Sequence, residues 1–161
     1  MLAAWGATCG RCKPGLTYSK TVILASVDVA GMLPLALGWL VVVRSPKPAL
    51  RGTLVELSRP LTILTRSDTG AVEGAQVVAL DDGFMSAAHA TIRRPAQLSP
   101  TAAFTIEDRR SPGPSANGTF VNSRKLGSGE TARLGDGDMV RLGATELKFK
   151  SLFLPAAVPT T

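Results

Sequence analysis

The chain has 161 residues, which is enough for one domain with a single core and too short for a TIM barrel or a two-domain enzyme. A hydrophobic fraction of 45% excludes a disordered tail, and 16 glycines with 11 prolines and no repeating period exclude a collagen-like chain. The net charge of +6 suits nucleic acid, anionic lipid or phosphorylated partners, but the scattered basic residues and an aromatic fraction of 5% argue against nucleic-acid binding.

The N-terminal segment 1–37 differs from the rest of the chain and is predicted to be a poorly structured extension. Its apolar stretch begins at Thr21 and, continued through Val43, is long enough to span a bilayer. Asp28 and Pro34 oppose a membrane helix, so a linker followed by a buried strand over 38–44 is the preferred reading. The stretch starts too late for a signal peptide, and the chain is expected to be cytoplasmic.

A second feature of this segment is the pair Cys9 and Cys12, spaced as half of a zinc ribbon. A closed structural zinc site needs four ligands, and no second pair of this spacing follows. We therefore expect two free thiols in a reducing compartment and no cofactor, although the pair keeps a half zinc site open as an alternative.

From residue 38 onward, apolar and polar residues alternate with period two, and Gly-, Asn- and Asp-rich turns separate the runs. No convincing helical stripe follows residue 45. The pattern predicts an all-β, antiparallel sandwich of about eleven short strands over 38–152, with a flexible tail over 153–161. The predicted strands are 38–44, 52–57, 60–65, 76–80, 89–94, 102–108, 119–121, 124–126, 130–134, 138–142 and 145–151.

Four short motifs stand out against this background. They are Ile63-Leu64-Thr65-Arg66-Ser67, Met85-Ser86-Ala87-Ala88-His89-Ala90, Ser115-Ala116-Asn117-Gly118-Thr119-Phe120-Val121-Asn122 and Leu134-Gly135-Asp136-Gly137-Asp138. In this order and spacing they resemble a forkhead-associated (FHA) domain over residues 38 to about 152. The resemblance implies a β-sandwich whose loops at one end bind phosphothreonine peptides.

The residue types in these motifs suit a phosphopeptide independently of the resemblance. A phosphate dianion requires charge-assisted donors, which the Arg66 guanidinium and the Ser86 hydroxyl and backbone N–H can supply. The Asn117 side chain can pair with peptide backbone as donor and acceptor together. His89, Gly118 and Thr119 are expected to support the loops that carry these three residues.

Three positions depart from the usual family pattern. Thr65 stands where glycine usually precedes the binding arginine, Ala87 follows Ser86 where arginine or asparagine is frequent, and Ala116 precedes Asn117 where threonine or serine is frequent. Two side-chain donors are therefore missing beside the site. At roughly 1.5 to 3 kcal/mol per charge-assisted hydrogen bond, their loss predicts a retained but weakened site.

An enzyme is one possible class of function, and a binding protein is the other. Ser86, His89 and Asp108 superficially form a catalytic set, but no nucleophile elbow frames the serine, so no catalysis is expected. The sequence predicts a non-catalytic adaptor that binds a phosphothreonine-containing protein, such as a substrate of a bacterial Ser/Thr kinase. The alternative is a phosphate-independent interaction scaffold on the same fold, tethered to a membrane through residues 21–43.

Overall fold

The computed structural model describes residues 35–68, 70–96, 103–108 and 113–154. Most of the predicted extension over 1–37, with Cys9 and Cys12, and residues 155–161 of the predicted tail lie outside the described residues. The predictions made for these parts therefore stay predictions.

Within these described ranges, eleven strands form two packed sheets, which confirms the all-β sandwich. The strands are β1 (Leu35–Arg44), β2 (Leu54–Glu56), β3 (Leu61–Thr65), β4 (Ala75–Ala79), β5 (Ala90–Arg93), β6 (Phe104–Asp108), β7 (Thr119–Val121), β8 (Arg124–Lys125), β9 (Thr131–Leu134), β10 (Met139–Leu142) and β11 (Thr145–Leu154). One 3₁₀ turn, Pro48–Leu50, interrupts the connection between β1 and β2. One sheet has the order β2-β1-β11-β10-β7-β8, and the other has the order β4-β3-β5-β6-β9.

Strand β1 shows why the alternating pattern gives a strand here. Leu40 and Val42 point into the core and are 0% and 1% exposed, whereas Val43 is 49% exposed. The alternative of a membrane span over 21–43 therefore overlaps a strand that pairs with β2 and β11. In the described part of the chain, no helix has the length and apolarity needed to cross a bilayer.

The core lies between the two sheets, and aromatic rings from both meet at its centre. The rings of Phe104 and Phe149 lie with their centroids 5.2 Å apart at a tilt of 59°, an arrangement that aromatic pairs favour. Gly38 on β1 lies against Phe104, and a Cβ atom at this position would come within 2.7 Å of the ring. Only glycine therefore lets β1 approach the ring this closely.

One pair of strands departs from the predicted antiparallel arrangement. Strands β3 and β4 are parallel, with Leu61 opposite Ala75 and Thr65 opposite Ala79. Both strands therefore end at the same end of the sandwich, and the connection between them returns along the molecule. Alternation with period two is the same in parallel and antiparallel strands, so the sequence pattern does not reveal this direction.

The strand registers bring several connections to this same end. Ala90 at the start of β5 lies opposite both Leu64 and Asp108, and Thr119 at the start of β7 lies opposite Leu142 at the end of β10. We call this end, formed by the start of connection 66–74 and the described residues of connections 80–89, 109–118 and 143–144, the loop end. It holds Arg66, Ser86, His89, Asn117 and Gly118, and Thr119 begins the strand that follows it.

Candidate functional site

Arg66 is the first residue after β3, and its side chain is exposed to solvent. Its backbone N–H donates to the Ser86 carbonyl oxygen at 3.2 Å, which joins the first connection to the second. Its guanidinium makes no ion pair or hydrogen bond with any residue that the structure describes. This leaves all five of its N–H donors available to a ligand.

Ser86 lies in the 80–89 connection and is partly buried. Its hydroxyl oxygen accepts a hydrogen bond from the Ala116 backbone N–H at 3.2 Å. Because the oxygen is the acceptor in that bond, the hydroxyl hydrogen stays available to donate to a ligand. Ala116 has no side-chain donor, but its main chain positions the serine.

His89 is fully buried and connects two of the loops. Its Nδ1 accepts from the Ser86 backbone N–H at 2.9 Å, and its Nε2 lies 3.2 Å from the Gly118 carbonyl oxygen. A backbone N–H can only donate, so Nδ1 carries no proton. The ring is therefore the Nε2–H tautomer, and Nε2 donates to Gly118.

Asn117 is exposed, and its side-chain Nδ2 donates to the Phe84 carbonyl oxygen at 2.6 Å. This bond orients the amide across the gap between two loops and leaves its carbonyl oxygen as an acceptor. Gly118 follows with a φ of +77°, and a Cβ atom there would collide with the side chain of Lys125. The backbone conformation therefore favours glycine, whereas the flexible Lys125 side chain could move aside for a Cβ atom.

Thr119 braces the 109–118 connection through the buried carboxylate of Asp108. Its hydroxyl donates to Asp108 Oδ1 at 2.6 Å, and the Ser115 hydroxyl donates to the same oxygen at 2.6 Å. The Ser115 backbone N–H donates to Asp108 Oδ2 at 3.1 Å. Three donors therefore hold a carboxylate that is 2% exposed.

A second buried carboxylate, Asp82, was not singled out by the sequence analysis. It accepts from the Phe84 backbone N–H at 2.9 Å, the Ala144 backbone N–H at 2.8 Å and the Thr145 hydroxyl at 2.9 Å. It thereby ties the 80–89 connection to the β10–β11 turn. Its only signal in the sequence is an Asp-Asp-Gly turn, which is too common to indicate this role.

The superficial Ser/His/Asp set does not form a catalytic triad. His89 bonds the backbone of Ser86 and Gly118, and Asp108 bonds Ser115 and Thr119. The ring nitrogen facing Ser86 is occupied by its N–H, so it is not placed to take a proton from the hydroxyl. Among the described residues, no three His, Cys, Asp or Glu side chains are grouped to hold a metal ion.

An open groove of about 270 Å³ lies beside Asn117. Its lining consists of Phe84, Asn117, Arg141, Gly143 and Ala144. The Phe84 ring is 63% exposed, and the Arg141 guanidinium stacks 3.6 Å above the Phe120 ring. The groove therefore offers an apolar surface and a cation close to the candidate residues.

Comparison with known proteins agrees with this architecture. The FHA domain model matches residues 70–143. No curated protein matches the chain. Three solved structures illustrate the shared fold, and their identities of 20–23% make them comparisons of fold alone.

The FHA domain of CT664 from Chlamydia trachomatis is 23% identical with a TM-score of 0.52, covering 71% of this chain and 96% of that one. The MEK1 FHA domain in complex with a HOP1 phosphothreonine peptide is 20% identical with a TM-score of 0.51, covering 70% and 94%. Mycobacterium tuberculosis EmbR, in complex with a low-affinity phosphopeptide, is 22% identical with a TM-score of 0.52, covering 78% of this chain and 26% of that one.

The family match covers strands β4 to β10, and solved FHA domains share the fold of the two sheets. The FHA fold is a recognition fold rather than a catalytic one. Residues 70–143 of this chain therefore match the FHA family in sequence, within a sandwich that has the FHA fold.

Proposed function

We propose that this chain is a non-catalytic adaptor that binds phosphothreonine-containing segments of other proteins in the cytoplasm. The observation that carries the proposal is the position of Arg66, Ser86 and Asn117. They lie on three connections at one end of the sandwich, and hydrogen bonds join those connections directly. The exposed, unpaired guanidinium of Arg66 is the charge that a phosphate dianion needs.

Each of the three side chains contacts a different part of the ligand or adds a different hydrogen bond. Arg66 donates paired N–H groups to phosphate oxygens, and the Ser86 hydroxyl donates a further hydrogen bond. Asn117 contacts the peptide backbone, because its amide presents an acceptor oxygen outward while its nitrogen is held by Phe84. Since the loops are already bonded to one another, little ordering entropy is lost on binding.

The peptide complexes of the MEK1 FHA domain and of EmbR support a ligand of this class. We propose that the site here is weakened relative to a full set of donors, because the side chains of Ala87 and Ala116 offer none. A bacterial Ser/Thr kinase that modifies the partner is the context that such a ligand implies.

The proposal is tested with a degenerate phosphothreonine peptide library and its unphosphorylated counterpart, titrated into the full chain. We expect phosphate-dependent binding that is lost in Arg66→Ala, because the remaining hydrogen bonds cannot replace the charge. Arg59→Ala is the matched control, since Arg59 is an exposed arginine on the β2–β3 connection away from the loop end.

Equal binding of the two libraries would overturn the proposal. Binding that is independent of phosphate and unchanged in Arg66→Ala would instead indicate the interaction scaffold that the sequence left as the alternative.

A further inference from the structure

Thr65 is the last residue of β3 and directly precedes Arg66. It is fully buried, and its hydroxyl makes two hydrogen bonds. The oxygen accepts from the Ala88 backbone N–H at 3.2 Å, and the hydroxyl donates to the Ser67 carbonyl oxygen at 3.1 Å. One side chain therefore binds the connection that carries Arg66 and the connection that carries Ser86.

The conformation of Ala88 is consistent with a held loop. Its φ is +45°, in the left-handed region that a residue with a Cβ atom rarely adopts. The N–H of this residue binds Thr65, 23 positions earlier in the chain. The surrounding bonds must stabilise the strained residue, and the Thr65 hydroxyl provides one of them.

Two hydrogen bonds join these connections beside the candidate donors. Arg66 N–H binds the Ser86 carbonyl, and Ala88 N–H binds the Thr65 hydroxyl. A third bond, from the Leu80 N–H to the Thr65 carbonyl oxygen at 3.0 Å, joins them at the start of the second connection. A single bond permits rotation about itself, whereas two bonds fix both the separation and the relative orientation of the connections. The guanidinium and the serine hydroxyl must converge on one phosphate, so this orientation matters for binding.

We propose that Thr65 is a positioning residue for the phosphate site and that its hydroxyl substitutes for the missing donors by preorganising the remaining ones. This inference rests on the proposed function and deepens it. Glycine, which usually precedes the binding arginine in FHA domains, has no hydroxyl and cannot make either bond. The departure at this position thus supports the site instead of weakening it.

Thr65→Val tests the proposal, because valine has nearly the same shape and lacks the hydroxyl. Thr62→Val is the matched control: Thr62 is a buried threonine on the same strand, and its hydroxyl binds Gln76 at 3.3 Å, away from the loop end. We expect Thr65→Val to weaken phosphothreonine-library binding about tenfold, the value of one hydrogen bond, while Thr62→Val stays within about twofold of the parent. Thr65→Ser keeps the hydroxyl and should restore binding.

Amide hydrogen exchange separates this proposal from the proposed function. In the parent chain the Ala88 amide should exchange slowly, and Thr65→Val should accelerate it relative to Thr62→Val. Unchanged exchange at Ala88 would overturn the positioning role, as would equal library binding by the two valine variants. If the parent chain binds both libraries equally, the proposed function fails, and with it the link from this hydrogen bond to phosphate.

Discussion

Aspartate carboxylates bind the connections at both ends of the sandwich, but they are buried at the loop end and exposed at the far end. At the loop end, Asp82 and Asp108 are 0% and 2% exposed, and each accepts three hydrogen bonds. At the far end, Asp136 accepts from Lys150 Nζ at 2.6 Å and from the Ser151 backbone N–H at 2.9 Å, with its side chain 49% exposed.

This difference shows how a carboxylate contributes at each end. Buried donors that lose their acceptor stay unsatisfied, so a buried carboxylate enforces one arrangement of the loops. Exposed donors find water instead, so an exposed carboxylate stabilises its turn only weakly. The connections that carry Ser86 and Asn117 are therefore held by buried carboxylates, although loops are commonly the mobile part of a fold.

The largest expected effect is that of Asp108→Ala. Removal of the carboxylate leaves the hydroxyls of Ser115 and Thr119 and one backbone N–H without their acceptor. The free energy of unfolding should therefore fall by about 3–5 kcal/mol. Urea denaturation followed by circular dichroism measures this difference. Asp136→Ala is the control at the far end, and similar midpoints for the two variants would contradict the comparison.

His89→Leu should have the next largest effect and lower the free energy of unfolding by about 2–3 kcal/mol. Leucine fills most of the space but leaves the Ser86 N–H and the Gly118 carbonyl without partners. Denaturation gives the stability, and titration with the phosphothreonine library gives the binding. A variant with parental stability would mean that water replaces the ring.

At the far end, Asn122 offers a smaller effect. Its side chain accepts from the Met139 N–H and donates to Asp138, and its φ is +48°. Asn122→Ala and Asn122→Gly both lose these bonds, but only alanine opposes the left-handed backbone. We expect Asn122→Ala to lower the free energy of unfolding by about 1–2 kcal/mol, as measured by thermal unfolding. The loss in Asn122→Gly should be smaller than that in Asn122→Ala by about 1 kcal/mol. Equal losses would show that the backbone conformation costs nothing here.

The smallest expected effect is in the acid range. The hydrogen bond from Lys150, followed by that from the Ser151 N–H, lowers the pKa of Asp136. The resulting stabilisation is present above the ordinary aspartate pKa of about 4 and is lost as the pH falls through the lower folded-state value. Asp136→Asn should remove this slight acid dependence from the melting temperature. An unchanged profile between pH 2 and 6 would contradict it.

Much of the fold could be predicted because its determinants are local. Alternation and turn residues set the strands, and β7 has the predicted bounds while β11 extends three residues beyond its predicted end at Ser151. The motifs also indicated the three candidate ligand-binding side chains and the support from His89. These predictions needed only residue types at short spacing.

The contacts between loops could not be predicted in the same way. Ala116 N–H binds Ser86 across 30 positions, and Thr145 binds Asp82 across 63. No short pattern encodes which distant backbone group will meet a given side chain. For this reason Thr65 and Ala116 stand out in the sequence only as departures from the family pattern, whereas in the fold both take part in the hydrogen bonds that arrange the site.

The pairing of β1 with β11 determines how the domain responds to a pulling force. Leu35 lies opposite Leu154 in this antiparallel pair, so the chain enters and leaves the described domain side by side, at the end away from the loops. Tension applied through the two flanking segments would break the hydrogen bonds of this pair one after another, starting at Leu35 and Leu154, instead of all together. The pair would therefore open at low force from the far end. The loop end, with Arg66, Ser86 and Asn117, would come under tension last.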